Sequence, residues 1–167
     1  MRFTRFILLI IICMLSSLCM AKNRLVYYEP KVVNISGVIR TLKFPGPPNY
    51  ESIQNGDADE TGPYLILNKP IDIDLVPNVQ IGNDELEKNV KLIQLAVHYD
   101  NDWPKVKEGN YVNITGTLFH ALTWHHHARV LLMIEDIKVL SKQKIVNKKL
   151  NITNEDIQFL KSQYLQN

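Results

Sequence analysis

Two short stretches of this chain read almost alike: Val33-Asn-Ile-Ser-Gly37 and Val112-Asn-Ile-Thr-Gly116. In each, apolar β-branched residues alternate with polar ones and a glycine follows. Alternation with a period of two marks a strand with one apolar and one polar face. A glycine inside such a pattern marks a bulge or a bend, as where a barrel strand turns a corner. A chain that carries this device twice is directed toward a curved sheet.

The alternation recurs elsewhere. Ile93, Leu95, Val97 and Tyr99 share one strand face, and Val112, Ile114, Gly116 and Leu118 share another. Residues 64–67 run on into Pro70, Ile71, Asp72 and Ile73, a strand interrupted by proline and hence an edge or a bend. Residues 129–140 are apolar on both faces at first and then mixed. Between these runs lie strong breakers such as Pro45-Gly46-Pro47-Pro48 and Asn55-Gly56. A helix is predicted only near the end, where Thr153 to Asp156 fits a capping box with Asp in the usual Glu position. Ile157, Leu160 and Tyr164 then follow at helical spacing. Strand count and order predict an all-β fold, a small OB-like five-stranded barrel with a short C-terminal helix. The expected organisation is a signal peptide over residues 1–21, the barrel over 22–140, and a linker and helix over 141–167.

The first residues read as a secretory signal. Arg2 and Arg5 precede an apolar run over residues 6–15, and Cys19-Met-Ala21 offers small residues at both ends of a cleavage site. Cleavage is expected after Ala21. The apolar stretch is shorter than the roughly 20 residues a spanning helix needs, so no stable anchor would remain. Both cysteines, Cys13 and Cys19, leave with the signal, which excludes a disulfide framework, a thiolate metal site and a cysteine nucleophile. The whole chain has 19 Lys and Arg against 17 Asp and Glu, so loss of Arg2 and Arg5 leaves the two counts equal. A nucleic-acid binder normally carries a basic excess, so nucleic acid is not the expected partner.

Four of the five histidines, His120, His125, His126 and His127, crowd the middle of the segment between the last two strands. Strand parity puts His120 on the face of Val112, Ile114 and Leu118. It puts His125 and His127 on one side of the returning chain, with His126 opposite. Neutral imidazoles are good ligands for zinc, copper or nickel, and Asp100 or Asp102 could complete a set. No H-E-x-x-H or comparable signature accompanies them, so no metal and no cofactor is assigned. The alternative is a polar tip whose rings hydrogen-bond to backbone and stack on Trp124. The run Asp57-Ala-Asp59-Glu-Thr61-Gly62 begins like a calcium loop, but Pro63 and Asn68 break the pattern, and it reads as a solvated acidic turn.

Three segments carry a family resemblance. The hairpin Gly116-Thr-Leu-Phe-His-Ala-Leu-Thr-Trp-His-His-His127 resembles a bacterial domain family of unknown function, number four-four-three-one. Pro45-Gly-Pro-Pro-Asn-Tyr-Glu-Ser-Ile53 and Tyr64-Leu-Ile-Leu-Asn-Lys-Pro-Ile71 resemble further hallmarks of it. The chain departs from the family pattern at Leu122 and Trp124. The resemblance implies a bacterial source, and therefore a periplasmic or secreted location, but no activity.

No G-x-S-x-G elbow, phosphate loop or G-x-G-x-x-G is present, so the chain reads as binding rather than catalytic. The expectation is an exported, non-catalytic binding module that contacts another protein of the cell envelope, of inhibitor or immunity type. Its contact surface would combine Asn49, Tyr50 and Glu51 of the rigid 45–51 loop with His120, Trp124, His125, His126 and His127. The competing expectation is a periplasmic metal-binding protein that uses His120, His125 and His127.

Overall fold

The computed structural model describes residues 22–79, 85–97 and 107–141. The signal segment, Trp103, Asp100, Asp102 and the expected C-terminal helix lie outside these residues. Six strands form one sheet: β1 (Arg24–Tyr27), β2 (Val32–Pro45), β3 (Asp59–Asp74), β4 (Glu87–Val97), β5 (Tyr111–His120) and β6 (Val130–Ser141). The hydrogen-bonded order is β1-β3-β2-β5-β6-β4, and β3 pairs with β4 as well. The pairings of β2, β3, β4, β6 and β5 therefore run in a closed ring. All are antiparallel except β4 with β6.

The expectation of five strands is corrected to six. β1 lies parallel to the second half of β3, Arg24 opposite Ile71 and Tyr27 opposite Asp74. Its four residues are too few for a visible period. What fixes it is burial of Val26 and of Tyr28 just after it. Residues 64–74 do not form an edge. β3 is paired on both sides, and its register against β4 shifts between Ile66 and Ile71. Pro70, which has no N–H to give, stands in that break.

The two look-alike segments pair with each other. Val33 faces Gly116, Ile35 faces Ile114, and Gly37 faces Val112, so the repeat lies across itself in antiparallel register. The polar residues of the outer face match as well. Thr115 Oγ1 donates to Asn34 Oδ1 at 2.7 Å, and Asn113 Nδ2 donates to Ser36 Oγ at 2.9 Å. Both glycines are places of close approach. A Cβ on Gly116 would stand 1.9 Å from the Met133 carbonyl oxygen, and one on Gly37 would stand 2.4 Å from the Ile66 carbonyl oxygen. At Gly116 the β5–β6 register also steps, from Thr115 opposite Asp136 to Gly116 opposite Ile134. The expected bulge is found there.

The ring encloses a core that includes Ile35, Ile39, Leu65, Ile93, Ile114, Leu118 and Leu132. A second, smaller cluster holds Leu42, Phe44, Tyr64, Ile66, Leu92 and Ala128. Successive strand residues face opposite sides, so Leu65 and Ile66, or Ile93 and Leu92, belong to the two clusters in turn. The second cluster therefore occupies the outer face of β2, β3 and β4. Ala128, from the segment between β5 and β6, closes over it. That placement gives the histidine segment an apolar seat on the sheet.

Because the carbonyl facing Gly116 belongs to the backbone, it cannot step aside as a side chain would. Gly116→Ala is expected to destabilise the protein by about 1–3 kcal/mol or more, the range for overpacking. Asn113→Ala, which removes one outer-face hydrogen bond, should cost about 0.5–1.5 kcal/mol. Urea unfolding of both variants checks the ranking; equal stability of Gly116→Ala and the parent would contradict the close approach.

Candidate functional site

Two chain segments far apart in sequence meet at one end of β2 and β3. One is the connection over residues 46–58; the other is the segment over 121–129. Asp57 organises the first. Its Oδ1 accepts the Asn49 N–H at 2.9 Å, and its Oδ2 accepts the Glu51 and Ser52 N–H groups, each at 2.8 Å. These bonds, led by the one from Ser52, hold its carboxyl below the usual value of 3.8 against the opposing effect of burial. Asp57 is thus not the solvated acid expected from sequence; it is a buried acceptor that shapes a turn. Gly46 donates to Ala58 O, Ala58 donates to Pro47 O, and Tyr50 donates to Gly46 O, closing the loop on itself. Tyr50 sits in the left-handed region at φ 60. Such a conformation persists only where the surroundings over-determine it, and here the Asp57 network does so. Asp59 pairs with Lys43 and accepts from Thr61 Oγ1, so neither aspartate is arranged as a calcium ligand.

The second segment is gripped from β4 and β3. Gln94 Oε1 accepts the N–H groups of His127 and Ala128 at 2.8 and 3.2 Å, while its Nε2 donates to the His125 carbonyl at 3.1 Å. One side-chain amide thereby replaces the ladder partners this irregular stretch lacks. Glu60, near the start of β3, takes two imidazoles. His125 Nδ1 donates to Oε1 at 2.6 Å and His127 Nε2 donates to Oε2 at 2.8 Å. Gly46 leaves the room for this: a Cβ there would stand 2.5 Å from Glu60 Cγ. Burial on its own would raise the Glu60 carboxyl, but hydrogen bonds from His127 and His125 outweigh it and hold the group below 4.5. His127 also stacks on Phe44, with ring centres 4.7 Å apart and planes 13° from parallel.

His125 joins the two segments. Its Nδ1 is committed to Glu60, so its Nε2 is the acceptor and receives the Tyr50 hydroxyl at 3.4 Å. The rings of Tyr50 and His125 meet edge to face at 5.8 Å, and Tyr50 lies 6.2 Å from Trp124. Trp124 is 76% exposed and Leu122 62%. Asn49 and Glu51 are exposed beside Tyr50 and contribute their backbone N–H groups to the loop.

The expected metal trio does not come together. His120 Nε2 is 3.4 Å from Glu87 Oε1, while Arg129 Nη1 is 3.3 Å from Glu87 Oε2. His125 and His127 share Glu60 instead. Among the described residues no three His, Cys, Asp or Glu side chains converge to hold a metal. His126 turns the other way, as parity indicated. Its ring meets Phe119 edge to face at 5.9 Å, and its Nδ1 accepts the Leu122 N–H at 2.9 Å. Of the residues that build the site, Glu60, Gln94 and Glu87 escaped sequence reasoning. Glu60 lay within a run read as an acidic loop, and nothing local marks a strand glutamine as a loop anchor.

The pH response follows from these roles. Burial, then the neighbouring His125 and His127, hold His126 below the ordinary 6.5. A histidine lowered in the folded state contributes stability that is present above 6.5 and lost as pH falls through its folded value. Protonation at Nδ1 also destroys the acceptor for Leu122. Glu60, lowered below 4.5, gives up its contribution only in stronger acid. Hydrogen exchange of the Leu122 amide, corrected for intrinsic rates, should therefore accelerate as pH drops from about 7.5 to about 5.5. His126→Asn keeps an acceptor near the Nδ1 position without a titrating ring and should flatten that response.

No curated protein and no solved structure matches the chain. Residues 92–138, which carry most of β4, all of β5, the histidine segment and most of β6, match the model of a family described as a domain of unknown function (DUF4431).

Proposed function

We propose that the ring of strands is a barrel of OB type. In this reading the protein is an exported, non-catalytic binding module that contacts another protein, of inhibitor or immunity type, in the cell envelope. OB folds use the loops after their first and fourth strands as a recognition surface. Counting the ring strands from β2, those loops are residues 46–58 and 121–129. The observation that carries the proposal is their meeting around an aromatic pair, half-buried Tyr50 and exposed Trp124, each fixed from behind. Asp57 shapes the loop that presents Tyr50, and Glu60 and Gln94 hold the segment that presents Trp124. Aromatic anchors on a pre-ordered support lose little entropy on docking, which is what a binding hot spot requires. Export rests on the amino-terminal charge and apolar pattern and on the expected cleavage after Ala21.

A photoreactive phenylalanine analogue in place of Trp124 should capture one discrete envelope protein in the source cells. The same analogue in place of exposed Lys138 should capture none, and Tyr50→Ala should suppress the adduct at 124. Repeated absence of an adduct at 124, or equal labelling from 138, would sink the proposal.

A further inference from the structure

A cleft of about 770 Å³ opens at the other end of β2, between β1, the first residues of β2 and the register break of β3. Ser36, which lines it, and Phe44, under the histidine segment, are roughly 25 Å apart along the strand. The floor is Ile35, Leu67 and Ile71, all part of the core. The rim carries Lys22, Arg24 and Lys69, and none of the residues lining the cleft is acidic. Asp72, next to Ile71 in the chain, is engaged by Asn23 Nδ2 and the Asn89 N–H, each at 2.9 Å.

The Tyr111 hydroxyl accepts from Asn68 Nδ2 at 2.8 Å, and the Ser36 hydroxyl accepts from Asn113 Nδ2 at 2.9 Å. Both residues line the cleft, and each hydroxyl still has a proton to give. Arg24 spends Nη1 on the Asn34 carbonyl at 3.0 Å, which leaves other guanidinium donors for a ligand. The cleft thus offers a surplus of donors and cations over acceptors and anions. A cleft lined by one sign of charge concentrates counter-ions, and guanidinium geometry suits an oxyanion.

We propose that this cleft binds a small organic oxyanion, a phosphate ester or a carboxylate, with Arg24 and Lys69 on its charge and the Ser36 and Tyr111 hydroxyls on its oxygens. The volume falls within the range of small-molecule sites and leaves room for a carbon skeleton beside the charged group. The site is independent of the protein-contact surface proposed above.

The test is an amide chemical-shift titration of the protein with glycerol 3-phosphate, glycerate and glycerol, which differ in the charged group. Saturable shifts at Arg24, Ser36, Lys69 and Tyr111 are expected with at least one anion and not with glycerol. A response to glycerol 3-phosphate alone identifies a phosphate ester, and one to glycerate alone a carboxylate. Arg24→Gln and Lys69→Gln should each weaken binding by at least about 10-fold, the scale of one charge-assisted bond. Tyr111→Phe, which leaves every charge in place, should weaken it less. No saturable shift, shifts spread over lysines elsewhere, or equal response to glycerol would overturn the proposal.

Discussion

Everything in this fold hangs on how closely β5 and β6 approach at Gly116. With the Met133 carbonyl oxygen 1.9 Å from where a Cβ would stand, no other residue fits without displacing backbone. Gly37 plays the same part between β2 and β3. Close approach lets the strands coil tightly enough for β3 to reach β4 and for β4 to reach β6. Without that curvature β4 would have a free edge, and the apolar side chains of β2 and β5 would face water. The self-pairing of the two Val-Asn-Ile-(Ser/Thr)-Gly segments sets both glycines at fixed positions in the ring.

Ring closure then decides what meets at the candidate site. The connections after β2 and after β5 leave from opposite ends of an antiparallel pair, and the second meets the first by running back over β4 and β3, where Gln94 and Glu60 hold it. An apolar patch on the outer face, Leu42, Phe44, Ile66 and Leu92, gives the returning chain a seat. Polar anchors fix its path: Gln94 through the backbone, Glu60 through two imidazoles, and Glu87 with His120 and Arg129 at the base. The result is a histidine-rich surface in which most rings serve as hydrogen-bonding struts. The His126 ring instead receives the Leu122 backbone N–H, an acceptor role that protonation removes.

Much of this was legible in the sequence. Alternation located β2, β4 and β5, the glycines announced the bend at Gly116, and parity separated His126 from His125 and His127. Residues 45–51 and the histidine segment were singled out as one surface, and the structure brings them together at Tyr50 and His125. The errors have physical causes. β1 is too short for its period to show and owes its place to pairing with β3. Asp57 looked solvated because its partners are backbone N–H groups, which every sequence supplies equally. Glu60 looked like one more loop acid because its role depends on imidazoles 65 and 67 residues away.

The sequence by itself determined the all-β class, the approximate strands, the two glycine positions and the residues that crowd the hairpin. These follow from local rules: side-chain alternation along a strand and the steric freedom of glycine. Tertiary structure alone decided which carboxylate each histidine meets, that the expected metal trio is divided between Glu60 and Glu87, and that a donor-rich cleft opens beside β1. Those outcomes depend on distances between strands distant in the chain, and such distances are set by closure of the ring, not by any local pattern.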